Sequence, residues 1–275
     1  MKRFIYVFIS VFIVSISSLP AIDLSRLSIY EDKSKSPSKR IAIIYGILLE
    51  EVYHPTSEHR GWGGGIINHD YTMAQIIGAM GCVVRESADA KVILQKKIST
   101  EENTELKEAI TVAMALGGDK SVNIDELLCL LKRNNNNFRR EKVAYAISEI
   151  GSVIIIPDLI DALHDNGSEL SCLEDSGKRF PVRGAAAYGL KKMNIPIKKS
   201  NNMSFEVDKD SAVKAIEPAL FNGDEKLSSQ SIKSIKRIGG TYAQKVLEKY
   251  ITAHATNSTN STKKALVDEA KNSLS

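Results

Sequence analysis

The 275-residue chain is poor in the features that single out specialised classes of protein. It has three cysteines, Cys82, Cys129 and Cys172, odd in number, far apart and without a Cys-x-x-Cys spacing. A disulfide framework and a thiol redox site are both disfavoured by that count, and Cys82 and Cys129 read as small buried apolar residues in helix-rich segments. Aromatic residues make up 6% of the chain and the formal net charge is only +4, so no surface of clustered cations interleaved with stacking rings points to nucleic acid. Phosphate-cradling Gly-x-x-x-x-Gly-Lys, Gly-x-Ser-x-Gly and His-Glu-x-x-His motifs are all missing from the sequence. No catalytic set, metal set or cofactor is therefore assigned.

What is present is ordinary globular composition, 43% hydrophobic and 25% charged, behind an export-like start. Lys2 and Arg3 precede an apolar run from Phe4 to Leu19, followed by Pro20 and Ala21, the three-part form of a secretory signal peptide over residues 1–21. The run is shorter than the roughly 20 apolar residues that span a bilayer, so the reading is export to the periplasm or medium. A membrane partner is expected only if this segment stays uncleaved. Without Lys2 and Arg3 the formal charge falls from +4 to +2, leaving little electrostatic pull toward polyanions.

Residues 22–40, rich in Ser, Lys, Asp and Pro, read as a flexible leader. Beyond them the apolar spacing is helical almost throughout. Ile41, Ile44, Tyr45, Leu48, Leu49 and Val52 form one stripe, which His54-Pro55 ends. Equivalent stripes run through Leu106–Leu116, Ile124–Leu131 and Ala243–Ile251. Val153–Ile156 is strand-like in composition, but Pro157 suits the first turn of a helix through Leu163.

An apolar pair followed by Gly recurs as Ile77-Met80-Gly81, Ala113-Leu116-Gly117, Ile147-Ile150-Gly151 and Ile235-Ile238-Gly239, with Leu190-Met193-Asn194 as a variant. Gly and Asn at those places fit the left-handed backbone that closes a helix. Successive intervals of 36, 34, 43 and 45 residues, each holding a second amphipathic helix, predict a row of helical hairpins. When Arg140 is set on Arg183, Val143–Ile147 falls on Ala186–Leu190.

Pro157–Asp165 and Val182–Leu190 are the residues on which the chain resembles HEAT repeats, especially the short HEAT-like repeats also found in phycobilisome lyase proteins. The resemblance spans about residues 69 to 252, and the stretches 166–180 and 195–208 depart from it as insertions. It implies an all-α fold, an α-solenoid of stacked hairpins over 41–252 with the first helix as a cap, followed by a polar tail over 253–275 with a possible end helix. Second helices of such stacks line the inner curve, which would present Lys91, Lys96, Asp158, Asp161, Lys214, Glu217, Lys245 and Glu248. Their mixed sign suits a protein or peptide.

The remaining feature is Gly61-Trp62-Gly63-Gly64-Gly65, with the chain's one Trp, flanked by His54, Glu58, His59, Arg60, His69 and Asp70. It reads as a mobile loop between the cap helix and the first hairpin, with Trp62 either tucked against the end of the core or exposed as a contact. Trp62, His59, Arg60 and His69 are the candidate protein-binding residues. The functional expectation is a non-catalytic exported scaffold that binds another protein. Two alternatives remain: a lyase or accessory enzyme of the chromophore-attaching kind, implied by the resemblance alone, and a metal-dependent function at the His-rich loop 54–70.

Overall fold

The computed structural model describes residues 24–56, 59–60, 66–133, 136–170, 178–199, 205–255 and 261–274. The expected signal peptide, Cys172 and Trp62 lie outside them. The protein is mostly helical, with helices packed in sequential pairs. The described residues up to Asp119 form one compact unit and those from Lys120 onward another.

The first unit opens with a 3-10 helix, Leu24–Tyr30, and α1, Pro37–Tyr53, which starts at Pro37 because Ser36 caps it and proline suits the first turn. This corrects the leader expected over 22–40. Leu27 is buried, Arg26 pairs with Glu50 at 2.6 Å, and the buried guanidinium of Arg40 binds the Tyr30 carbonyl and Glu86. After a short antiparallel pair, β1 (His59–Arg60) and β2 (Ile66–Ile67), come α2 (His69–Glu86), α3 (Ala88–Thr100) and α4 (Thr104–Leu116).

Helix α2 packs on both α1 and α4, burying side chains such as Ile44, Leu48, Met73, Met80, Leu106 and Ile110. Full burial of each such side chain is worth about 1.5–3 kcal/mol. Two glycines of the repeat serve this contact, Gly81 from within α2 and Gly117 as the residue that caps α4. Gly81 lies inside α2, where an added Cβ would sit 2.7 Å from Leu116 Cβ, and Gly117, at an ordinary right-handed φ of −72°, would meet Val84 Cγ1 at 2.4 Å. The left-handed residue that follows α4 is the next one, Gly118, at φ +84°. The left-handed closure expected of the pattern does occur at Gly151 and at Asn194, with φ of 68° and 59°.

The second unit begins with α5 (Ile124–Arg133), α6 (Asn137–Ile150), a 3-10 turn (Val153–Ile155) and α7 (Ile156–Ala162), with Pro157 in the first turn of α7. It continues through α8 (Pro181–Lys192), α9 (Lys209–Leu220), α10 (Glu225–Ile238), α11 (Thr241–Ala255) and α12 (Ser261–Asn272). The two insertions hold short antiparallel pairs, β3 (Glu169–Leu170) with β4 (Lys178–Arg179) and β5 (Ile197–Lys199) with β6 (Phe205–Val207). Pro218 lies near the end of α9, which starts nine residues earlier under the Asp208 cap. The end helix α12 docks on α10 and α11 through buried Leu266, Val267 and Ala270.

Helices α6 and α8, the two units that align in sequence, pack side by side. Their equivalent tyrosines meet edge to face, Tyr145 and Tyr188 with ring centroids 5.5 Å apart, and Gly189 gives room to Ser148. The equivalent arginines act alike. Arg140 donates through Nε to the Leu131 carbonyl near the end of α5, and Arg183 donates through Nε to the Asp165 carbonyl just beyond α7. Each binds backbone carbonyls left without an intrahelical partner at or near a helix end. Arg140 also pairs with the Asp165 carboxylate.

Candidate functional site

The side chains with the most convergent chemistry lie where the ends of three helices of the first unit meet. Glu51 falls three residues after Leu48 and seven after Ile44, so the turn of α1 places a carboxylate on the stripe that faces the core. Its side chain has no exposure. An ionised carboxylate taken out of water costs several kcal/mol unless it is paired and hydrogen-bonded. Glu51 is both: Thr56 donates its backbone N–H to Oε1 at 2.9 Å and its hydroxyl to Oε2 at 2.6 Å, and His69 Nδ1 lies 2.7 Å from Oε1.

His69 opens α2, held there by Asn68, whose side chain accepts the Tyr71 N–H at 3.0 Å. Its other ring nitrogen, Nε2, lies 3.0 Å from Oε1 of Glu105 in the first turn of α4. That helix is started in turn by Asn103, which accepts from Leu106 N at 3.1 Å. A cation at the start of a helix opposes the helix dipole, while carboxylates there are favoured. The ring thus sits between two carboxylates, one in the last turn of α1 and one in the first turn of α4.

The next turns of α1 carry a second polar contact. Tyr45 donates its hydroxyl to Glu101 at 3.1 Å, and Lys97 Nζ lies 4.8 Å from the centre of the Tyr45 ring. Burial, with the Glu101 hydrogen bond second, pushes the Tyr45 hydroxyl up to about 12. Glu101 is held below the usual carboxylate range, chiefly by the Asn103 backbone N–H.

Of the candidate residues, only His69 has a described side chain. His59 and Arg60 lie in β1, opposite Ile67 and Ile66 in antiparallel register, with their side chains outside the described set, and Trp62 falls in the undescribed link between the strands. His54 caps α1 through its backbone N–H, at 2.8 Å from the Glu50 carbonyl, and its side chain is exposed. Both ring nitrogens of His69 are within hydrogen-bond distance of carboxylates. Among the described residues no group of three or more His, Cys, Asp or Glu side chains is placed to hold one.

Several expected surface residues are engaged within their own unit. Asp158 is buried and pairs with Arg237 at 3.1 Å and Lys132 at 3.2 Å, so it is not presented to a partner. Lys91 pairs with Asp119, and Glu217 takes both Lys249 and the Tyr242 hydroxyl. The cysteines also depart from expectation. Cys82 is exposed and Cys129 half-buried, because each falls off the buried stripe of its helix.

Sequence reasoning missed Glu51, Thr56 and Glu105. Glu51 had a readable signal, a charge in register with an apolar stripe; Glu105 looks like any acidic residue in a first helical turn. No helix among the described residues is long and apolar enough to cross a membrane. In comparison with known proteins, the chain matches no family model and no curated protein.

Proposed function

We propose that this protein is an exported, non-catalytic α-solenoid of HEAT-like hairpins that binds another protein through the segment 54–70, which carries Trp62. The supporting observation is the fastening of the described residues on both sides of Trp62. Thr56 on one side and His69 on the other are tied to the same buried carboxylate, Glu51, and between them His59–Arg60 pairs with Ile66–Ile67. The described residues on either side of Trp62 are thus joined to one another and to one carboxylate. Such joining lowers the ordering cost of association, and Trp is the residue type that most often dominates a protein interface.

The helical pairs and the aligned contacts of α6 with α8 support the solenoid reading, since each hairpin leaves an apolar stripe that a neighbour must cover. The test is to purify the mature chain, isolate its partner from the exported fraction, and titrate that partner against the wild type and Trp62→Ala. Binding weakened at least tenfold supports the assignment. Unchanged affinity would remove the segment as the contact.

A further inference from the structure

The contacts of His69 fix a proton count. Nδ1 lies 2.7 Å from a Glu51 oxygen and Nε2 lies 3.0 Å from a Glu105 oxygen, and each contact needs a hydrogen between nitrogen and oxygen. A neutral imidazole supplies only one. The cluster thus holds one proton more than a neutral ring and two carboxylates would, and the imidazolium is the form that satisfies all of it. We propose that Glu51, His69 and Glu105 form a proton-held clamp that locks the last turn of α1 to the first turns of α2 and α4, and that loosens as pH rises.

The charged groups around the ring support this assignment. Glu51 faces it from α1 and Glu105 from α4, and Asp70 follows it on its own helix. Among the described cations of the other packed elements, Arg26 of the 3-10 helix is bidentate to Glu50, and Lys97 of α3 lies over Tyr45. Loss of the second ring proton leaves a lone pair against a carboxylate on one side. On the Glu51 side that carboxylate is fully buried, and an uncompensated buried charge is strongly unfavourable. The linkage has a definite sign. A group that folding favours in its protonated form contributes fully below its unfolded titration point, about pH 6.5 for histidine, and that contribution disappears as pH rises through the folded one.

The clamp is tested on the full mature chain alone, so the result is independent of whether any partner binds. Ring-nitrogen NMR is recorded from about pH 5 to 9, spanning the ordinary histidine range. Urea midpoints are measured over the same range for the wild type, His69→Gln and Glu105→Gln. We expect both nitrogens of His69 to stay protonated at about pH 7.5, where an ordinary histidine has lost one proton. Amide exchange in residues 52–56 and 69–72, corrected for its intrinsic pH dependence, should rise at least tenfold as the ring titrates. Glu105→Gln, which keeps an acceptor but removes a charge, should move that rise to lower pH, and His69→Gln should abolish it. A singly protonated ring at about pH 7.5, or the same pH profile in all three proteins, would overturn the proposal.

Discussion

His69 Nδ1 lies 2.7 Å from Glu51 Oε1, a contact whose carboxylate side has no solvent exposure at all. Glu51 also accepts both hydrogen bonds from Thr56, so one side chain joins the exit from α1 to the entry of α2.

Glu51→Ala should therefore lower the stability of the first unit by about 3 kcal/mol, the scale of breaking a buried pair. Glu51→Gln, still able to accept from Thr56, should lose less. Urea unfolding followed by near-UV signal measures both, and equal, negligible losses would mean that the carboxylate contributes nothing.

Two glycines in helices should respond in opposite directions. Gly81→Ala places a methyl 2.7 Å from Leu116 Cβ and 3.2 Å from the Ala113 carbonyl, forcing α2 and α4 apart at a cost of about 1–3 kcal/mol. Gly46→Ala, within α1 and with nothing within 4 Å, should stabilise by about 0.5–1 kcal/mol through helix propensity. Thermal midpoints of the two variants separate them directly.

In the second unit, Asp158 is the buried member of an ion pair that joins α7 to α10 through Arg237. Asp158→Asn should cost about 1–3 kcal/mol by leaving the guanidinium with a neutral partner. The double variant Asp158→Asn/Arg237→Met should cost less than the sum of the two single losses, because the pair is removed together.

Acid should destabilise the protein by a separate route. Hydrogen bonds from Lys33 and then Arg40 hold Glu86 below the usual carboxylate range, Arg26 does the same for Glu50, and Lys35 with Ser34 brings Asp32 to about 2. These carboxylates are lowered on folding. Their contribution is complete above the unfolded titration points and is lost as pH falls through the folded ones. The urea midpoint should fall steadily below about pH 4, and Glu86→Gln should flatten that fall.

Much of the fold was legible because helical periodicity and helix caps are local. The stripe over Leu106–Leu116 and the Arg140–Arg183 correspondence reappear as buried faces and as equivalent contacts. Gly81 was misassigned because a glycine that permits a close helix contact and one that ends a helix look the same in sequence; only the neighbour, Leu116, distinguishes them. The folded start over residues 24–33 was hidden because its cations are paired across the unit, Arg26 on Glu50 and Lys33 on Glu86. The candidate site was half legible. His69 stood out as one of a few imidazoles, but its partners lie 18 and 36 residues away, a pairing that no local pattern carries.

The proposed function has the segment that carries Trp62 meet another protein. Replacing Trp62 with a photo-cross-linking residue in the exporting cell tests it most directly, with the same replacement at Lys96 and Lys245, exposed on α3 and α11, for comparison. The account predicts one dominant cross-linked protein from position 62 and little from the other two. Cross-links from Lys96 or Lys245 with none from Trp62 would contradict it.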